Sequence, residues 1–247
     1  MKKIIGHVLS PLHHIGFFFF LIIFQPIQWV CYKLGGYKAH KVSVDALNFC
    51  LMISYYFVFD SISFKNEQNL PTDRPIIFVA NHQSMYDIPP LIYFLRKYHA
   101  KFISKIELTK NIPSISFNLK YGGGANIDRN DKKQSLGEIM KLGERMKDNN
   151  WSTVIFPEGT RSKNGKMKEF QIGGIATILK KAPNALIVPV AIENSWKMVQ
   201  YGLVWLNAFV PLKFTVLTPI EPNGKDILEL VKETELAIKN IVEKDLY

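Results

Sequence analysis

The sequence has few of the residues that build disulfide scaffolds or metal centres. Its 247 residues include only two cysteines, Cys31 and Cys50, and both lie in apolar segments. The six histidines are scattered, and the adjacent pair His13 and His14 lacks the spacing of a zinc helix. We therefore expect no disulfide framework, no catalytic thiol and no metal site.

Acidic residues are also in the minority. Lys and Arg total 31 against 21 Asp and Glu, which gives a formal net charge of +10 and a sequence pI near 9.4. This balance favours a partner with negative charge, such as nucleic acid, an anionic membrane surface or a phosphorylated substrate. The length predicts one globular domain with an appendage.

The N-terminal third lacks charge over a long apolar run. Residues 15–32 carry no formal charge, and a second apolar segment covers residues 44–60. Gln25, Pro26 and Gln28 interrupt the first run, so we favour a helical hairpin lying in one leaflet over two full spans. The hairpin would be anchored at the headgroups by Trp29, Tyr32, Tyr55 and Tyr56. A buried core hairpin of a soluble protein is the alternative.

The rest of the chain alternates apolar strand-like runs with helical runs. A polar linker at 65–75 separates it from the hairpin, which predicts domains at 1–64 and 65–247. The pattern indicates an α/β fold with a central, mostly parallel sheet covered by helices on both faces. The predicted strands are 76–80, 101–104, 126–128, 152–157, 185–192 and 210–218. The predicted helices are 88–97, 131–148, 172–181 and 225–244.

Polar clusters follow three of these strands, where α/β sheets gather ligands. In "NHQSMYD" (81–87), a helix cap explains the Asn and the Asp but not His82. With His82 in a loop and Asp87 in the first helical turn, the carboxylate can fold back to hold the Nδ1 proton and leave Nε2 as a base. Ser84 lacks the G-x-S-x-G elbow of a hydrolase nucleophile, so the base must activate a hydroxyl of the substrate.

The other two clusters are basic. "FPEGTRS" places Glu158 and Arg161 across a glycine-containing turn, and lysines follow. A guanidinium there is suited to gripping a phosphate, although a solvated basic loop is an equal alternative from this motif alone. "GGGANIDR" offers backbone amides and Arg129, but it matches neither a Walker loop nor a dinucleotide fingerprint.

Together these motifs resemble the glycerolipid acyltransferases, in particular the bacterial 1-acylglycerol-3-phosphate acyltransferases. "NHQSMYD" matches that family's NHxxxxD block and "FPEGTRS" its block of the same letters. "GGANIDR" is similar to its G-x-x-F-I-D-R block, with Asn126 where the family usually has phenylalanine, and "LIVPVAI" to its V-P-V block. The order and approximate spacing agree over residues 75–195.

The resemblance implies a reaction and a set of roles. His82 would deprotonate the free hydroxyl of 1-acylglycerol 3-phosphate, and Asp87 would orient it, while the acyl group comes from a thioester of coenzyme A or acyl carrier protein. We predict that the acceptor phosphate would be bound by Arg161, Arg129, Lys105, Glu158 and Gly159. Within this group, Glu158 would hold Arg161 in position. Further motif positions would support the site, namely Asn81, Gly123, Pro157, Thr160 and Pro189.

The same resemblance implies membrane lipids as partners, no nucleic acid, no tightly bound cofactor and no metal. It implies a location at the membrane, on the cytoplasmic face of the bacterial inner membrane. Two alternatives stay open, namely a different lysolipid acceptor, such as another lysophospholipid or a lyso-ornithine lipid, and a non-catalytic basic membrane-binding or nucleic-acid-binding protein.

Overall fold

The computed structural model describes residues 1–244 and contains one seven-stranded sheet between helical layers. The strands are β1 (Ser61–Asn66), β2 (Ile76–Ala80), β3 (Lys101–Lys105), β4 (Ala125–Ile127), β5 (Thr153–Ile155), β6 (Leu186–Glu193) and β7 (Pro211–Val216). The helices are α1 (Lys2–Ile53), α2 (Ile88–Phe94), α3 (Ile115–Tyr121), α4 (Lys132–Asn149), α5 (Ile172–Lys181), α6 (Ser195–Met198) and α7 (Ile227–Val242).

The sheet has the order β1-β7-β6-β2-β5-β3-β4, and every neighbouring pair is parallel except β6 with β7. The five strands β6, β2, β5, β3 and β4 therefore run in one direction. Their carboxyl ends meet along one edge of the sheet, where the polar clusters follow. The predicted α/β class with a mostly parallel sheet is confirmed.

The N-terminal helix α1 is a hairpin of two arms, residues 2–35 and 37–53. They join at Gly36, whose φ of 63° and ψ of −155° break the helix. The start of the first arm lies beside the end of the second, since the His13 imidazole Nδ1 is 2.8 Å from the carbonyl oxygen of Ser54. Gly16 allows this approach, because a Cβ there would lie 2.5 Å from the Phe57 ring.

The hairpin leaves a long apolar surface uncovered. On the first arm the exposed apolar side chains follow a helical spacing and include Ile4, Val8, Leu12, Ile15, Phe18, Phe19, Ile22 and Ile23. By length and composition, the helical segment Lys2–Val58 qualifies as a candidate membrane span, and its most apolar window has a mean hydropathy of 1.7. These features make the protein membrane-associated.

Of the four predicted headgroup anchors, two are exposed, Tyr32 is half-buried and one is fully buried. Trp29 and Tyr56 are exposed. Tyr55 is fully buried, and its hydroxyl donates to the carbonyl oxygen of Tyr86 at 3.1 Å, so its predicted place at the headgroups is wrong. This hydrogen bond instead connects the end of the hairpin to the loop that carries His82.

Each face of the sheet has its own apolar core. One core joins α1 and α2 to the sheet through residues such as Leu21, Leu51 and Phe78. The other joins α4, α5 and α7 to the opposite face through residues such as Ile77 and Ile178. The sheet is thus covered on both sides, as its near-continuous apolar strands predict.

The six predicted strands and four predicted helices are all present, with ends shifted by a few residues. The sequence analysis missed β1, which pairs with β7 along Ser61–Asn66 and extends into the polar segment 65–75 that was interpreted as a linker. It also missed α3 and α6. β1 lies across residue 64, and the division of the chain into two domains at this residue stays a prediction. Residues 245–247 of the predicted second domain lie outside the described residues.

Candidate active site

The polar clusters converge at the carboxyl edge of the sheet. His82 follows β2, and Phe156 and Glu158 follow β5 beside it. Ser195 follows β6 on the other side of β2. This arrangement places one loop from each of three adjacent strands around the imidazole of His82.

His82 and Asp87 form the predicted pair. The imidazole Nδ1 lies 2.8 Å from the carboxylate oxygen Oδ2 of Asp87, which is fully buried, whereas 13% of the His82 side chain is exposed. Among residues 1–244 we find no hydrogen-bond partner for Nε2 of His82. An ionised Asp87 therefore holds the Nδ1–H tautomer and leaves Nε2 with its lone pair available.

Asp87 also caps the short helical turn Met85–Asp87, of which it is the last residue, so the helix-cap interpretation and the catalytic one both apply. Its Oδ2 accepts the backbone amides of Gln83 at 2.7 Å and Ser84 at 3.0 Å, while the Ser84 hydroxyl accepts from the amide of Tyr86. This is a capping box. The cap fixes the carboxylate in position, and the imidazole uses the same oxygen.

Two further side chains orient the pair, and the sequence analysis missed both. The Ser195 hydroxyl donates to Oδ1 of Asp87 and is fully buried. The Phe156 ring stacks on the His82 ring, with centroids 4.1 Å apart and planes 17° from parallel. Phe156 opens the FPEGTRS motif, which was a signal for its role. Ser195 had no such signal, since 108 residues separate it from Asp87.

Glu158 ties the His82 loop to the basic loop. Its Oε1 accepts the backbone amide of His82 at 2.8 Å, and its Oε2 accepts that of Lys168 at 3.0 Å. Burial raises the pKa of this carboxyl, and the two amides and the nearby His82 act in the opposite direction. No ion pair of Glu158 with Arg161 is present in the described part of the chain, so the prediction that Glu158 fixes Arg161 is wrong.

Arg129 and Arg161 supply positive charge at the same edge. Burial lowers the pKa of Arg129, and the nearby charge of Arg161 lowers it further, because two cations in proximity disfavour each other. An anion between them would relieve this repulsion. Lys105 is exposed at the carboxyl end of β3, the neighbour of the strand that leads to Arg129.

Two of the predicted support residues, Asn81 and Thr160, and the predicted phosphate-binding residue Gly159 shape the backbone around the site. The side chain of Asn81 continues the β2–β6 pairing. Its Nδ2 donates to the carbonyl oxygen of Ile192 at 2.8 Å, and its Oδ1 accepts from the backbone amide of Ile192 at 2.7 Å. Gly159 adopts a φ of 70°, which favours glycine. The hydroxyl of Thr160 accepts from the Lys168 ammonium, which also donates to the Arg161 carbonyl at 3.3 Å.

Two prolines hold strand and loop geometry. The carbonyl of Pro157 accepts the amide of Gln171 at 3.0 Å, which closes the basic loop at the start of α5. Pro189 lies inside β6, between the bridge of Ile187 with Ile220 and the antiparallel pairing that begins at Val190. It therefore does not end the strand, and it occupies a break in the ladder, as expected for proline.

The glycine run lies away from the site. Gly123 has a φ of 81°, and a Cβ on it would lie 2.7 Å from the Trp151 ring. A Cβ on Gly124 would lie 2.6 Å from the carbonyl oxygen of Phe102. These glycines precede β4 at its amino end, the edge of the sheet opposite His82, so they permit close packing and do not offer amides to the site.

The described residues 1–244 contain no group of three or more His, Cys, Asp or Glu that could hold a metal ion. The chemistry of the site comes from an imidazole, a carboxylate and two guanidinium groups. Such a set can remove a proton from a hydroxyl and hold an anion beside it.

The fold and the site define an α/β protein in which a buried aspartate orients a histidine, and no serine hydroxyl among residues 1–244 forms a hydrogen bond with the Nε2 atom of that histidine. The family model described as Acyltransferase matches residues 61–193, which begin at β1 and end with β6. The chain belongs to this acyltransferase family.

Individual relatives are similar over much of the chain. The chain is 34% identical over 170 residues to a 1-acyl-sn-glycerol-3-phosphate acyltransferase of Helicobacter pylori, which covers 64% of this chain and 69% of the relative. It is 28% identical over 173 residues to the chloroplastic 1-acyl-sn-glycerol-3-phosphate acyltransferase LPAT1 of Arabidopsis thaliana, which covers 70% of this chain and 47% of the relative. The chain thus spans slightly under half the length of the plant relative.

A solved structure is similar over nearly the whole chain. The crystal structure of the 1-acyl-sn-glycerophosphate acyltransferase PlsC from Thermotoga maritima has a TM-score of 0.81 and 26% sequence identity. The alignment covers 99% of this chain and 97% of that one. The similarity therefore includes the N-terminal hairpin as well as the α/β part.

Proposed function

We propose that this protein transfers a fatty acyl group from an acyl thioester to the free hydroxyl of 1-acylglycerol 3-phosphate, producing phosphatidic acid. The observation that carries the proposal is the His82–Asp87 contact of 2.8 Å beside Arg129 and Arg161. Relatives over different parts of the chain bear this activity in their names, which supports the same acceptor.

The reaction follows from the free Nε2 atom of His82. The imidazole takes the proton of the acceptor hydroxyl as its oxygen attacks the thioester carbonyl carbon, so that a C–O bond forms. The tetrahedral intermediate then breaks its C–S bond. The leaving thiolate takes the proton from the imidazolium, and the base is restored. Asp87 stays ionised and stabilises the imidazolium in between.

Arg161 and Arg129 would bind the phosphate of the acceptor, with Lys105 as a further cation at the rim. A phosphate dianion between two guanidinium groups accepts paired hydrogen bonds and removes their mutual repulsion. Glu158 would act by positioning, because both of its oxygens are engaged by backbone amides. Gly159 would let the turn bring Arg161 toward the site.

The donor would be acyl-CoA or acylated acyl carrier protein. Both are acidic, and the net charge of +10 favours their approach. Because both occur in the cytoplasm, we place the active site on the cytoplasmic face of the bacterial inner membrane, with membrane lipids and the lysophospholipid as partners. Neither a tightly bound cofactor nor nucleic acid enters the proposed reaction.

The test is radiolabelled acyl transfer from each donor onto 1-acylglycerol 3-phosphate, with the wild type, His82→Ala and Arg161→Ala. We expect His82→Ala to lose the rate and Arg161→Ala to raise chiefly the KM for the acceptor. The matched control is Arg74→Ala, because Arg74 pairs with Glu221 at the opposite edge of the sheet.

Three results would contradict parts of the proposal. A wild type that is silent with both donors, yet acylates a lysolipid with a larger headgroup, would show that the acceptor is wrong. Transfer that survives His82→Ala would show that the base is wrong. Loss of transfer in Arg74→Ala equal to that in Arg161→Ala would remove the assignment of Arg161 to the phosphate.

A further inference from the structure

The segment between α6 and β7 exposes a compact apolar run far from the N-terminal hairpin in sequence. Leu203, Val204 and Trp205 are consecutive and are 50%, 62% and 48% exposed. Isolated apolar side chains on a surface are normal, but a contiguous exposed run next to other apolar surface marks an interaction site.

This segment is fastened to the first arm of α1. The amide of Leu206 donates to the Ser10 hydroxyl at 2.8 Å, and the imidazole Nε2 of His14 lies 2.9 Å from the carbonyl oxygen of Val204. At Gly6 the two backbones come so close that a Cβ would lie 2.4 Å from the carbonyl oxygen of Leu206. Gly6, Ser10 and His14 are spaced by four residues, so one face of the helix holds the segment.

The apolar run continues the exposed apolar stripe of α1. The His7 ring lies 5.6 Å from the Trp205 ring and 5.5 Å from the Tyr201 ring, measured between centroids. At 100° per residue, His7 is about 60° around the helix from Ile4, where the stripe begins. Ile4 and Val8 are 68% and 71% exposed. Trp205 thus lies along the flank of the surface that associates with the membrane.

Positive charge borders the same place. The Lys3 ammonium lies 4.7 Å from the centre of the Tyr201 ring, and Lys2 precedes it at the start of α1. Basic side chains next to exposed aromatic and aliphatic side chains are the combination that binds an anionic bilayer surface.

We propose that residues 201–205 form a second membrane-inserting element, which enters the same anionic leaflet as α1. A protein held to a bilayer by one helical surface can still roll about the helix axis. A second contact on the flank of α1 restricts this roll and so fixes the height of His82 above the lipid. The inference goes beyond the proposed reaction, since it depends on membrane association and not on the identity of the acyl acceptor.

The first experiment uses Trp205 as its own probe. The full-length protein and its Trp205→Phe variant are added to vesicles of phosphatidylcholine and phosphatidylglycerol in about a 2:1 ratio. The difference between their emission spectra isolates Trp205 from Trp29, Trp151 and Trp196. We expect this difference spectrum to shift to the blue on binding and to be quenched by lipids brominated on their acyl chains. An unshifted, unquenched Trp205 in vesicle-bound protein would overturn the proposal.

The second experiment measures vesicle partitioning of Leu203→Asp/Val204→Asp against a matched control. The control is Leu228→Asp/Leu236→Asp, which introduces the same charge at two exposed leucines of α7, on the opposite face of the sheet. We expect the first variant to bind roughly tenfold more weakly and the control to bind like the wild type, because insertion scales with buried apolar area. Equal binding of the two variants would overturn the proposal.

Thermal unfolding of both variants checks that the substitutions leave the fold intact. If Leu203→Asp/Val204→Asp does not fold, the Trp205 spectra decide, because Trp205→Phe keeps an aromatic ring at an exposed position. An acyl-transfer assay without detectable product would contradict the proposed reaction. The result of the vesicle-partitioning experiment would still be interpretable.

Discussion

Nδ1 of His82 lies 2.8 Å from Oδ2 of Asp87, and the same carboxylate caps the helical turn Met85–Asp87. One buried group thus stabilises the loop and selects the tautomer of the base. Its Oδ1 atom accepts a hydrogen bond from the hydroxyl of Ser195, which follows the neighbouring strand β6. The geometry of the base is therefore set by two segments that are remote in sequence.

Asp87→Asn is expected to lower kcat about 10⁴-fold with a small change in KM, because a carboxamide can donate to Nδ1 and favours the tautomer without a basic Nε2. The measurement is steady-state acyl transfer with the wild type and the variant. Asp226→Asn is the control, since Asp226 caps α7 far from the site. A kcat for Asp87→Asn within tenfold of the wild type would rule out the assigned role.

Ser195→Ala is expected to lower kcat roughly tenfold and to leave the acceptor KM unchanged, because a hydrogen bond to a charged group contributes about 1.5–3 kcal/mol. Ser152→Ala is the control, as Ser152 is buried at the amino end of β5 and accepts the amide of Ile76. A kcat for Ser195→Ala equal to that of Ser152→Ala would contradict the orienting role of Ser195.

Glu158→Ala is expected to lower the free energy of unfolding and kcat together. It leaves the amides of His82 and Lys168 without their acceptor, at a cost of about 1–3 kcal/mol for each amide that stays buried. Glu158→Gln keeps one carbonyl oxygen, so its free energy of unfolding and its kcat should lie between those of the wild type and of Glu158→Ala. Denaturant unfolding and acyl transfer measured on the same samples check this. A stable, fully active Glu158→Ala would contradict the bridging role.

Asp60 is expected to make stability depend on pH. Burial raises its pKa from 3.8 to about 8, and a hydrogen bond from the amide of Val210 offsets this in part. Between these two pKa values the folded chain holds a proton that the unfolded chain has lost. The free energy of unfolding should therefore fall as the pH rises from about 4 to about 8.

The measurement for Asp60 is denaturant unfolding across this pH range, with Asp60→Asn as the comparison. The carboxamide cannot ionise, so the variant should lack this component of the pH dependence. If the two curves have the same slope, Asp60 is ionised in the folded protein and the expectation is wrong.

The comparison of sequence and structure shows where local patterns suffice. Buried strands such as β2 and β6 appear in the sequence as apolar runs, and polar motifs follow them. Both are visible because strand burial and loop chemistry depend on neighbouring residues. The His82–Asp87 pair is local too, since five residues and a helical turn bring the two groups together. Both could be predicted from the chain alone.

The misses involve partners that no local pattern shows. β1 has a weak alternating burial pattern at the edge of the sheet, and its pairing with β7 joins residues about 150 positions apart. The Glu158 carboxylate was matched to the nearest cation in the sequence, whereas the fold presents it with two backbone amides. Tyr55 lies in an apolar run but faces the core, because the second arm packs against the loop of His82.

The sequence by itself determined the α/β class and predicted the hairpin, the proposed base His82, its partner Asp87 and the cations, because burial periodicity and motif chemistry are properties of neighbouring residues. Only the tertiary structure decided that Ser195 and Phe156 orient that base, that the glycine run lies at the opposite edge, and that residues 201–205 lie beside α1. Those relations depend on the order of the strands in the sheet. That order arises from packing between residues far apart in sequence, which leaves no periodic pattern in the chain.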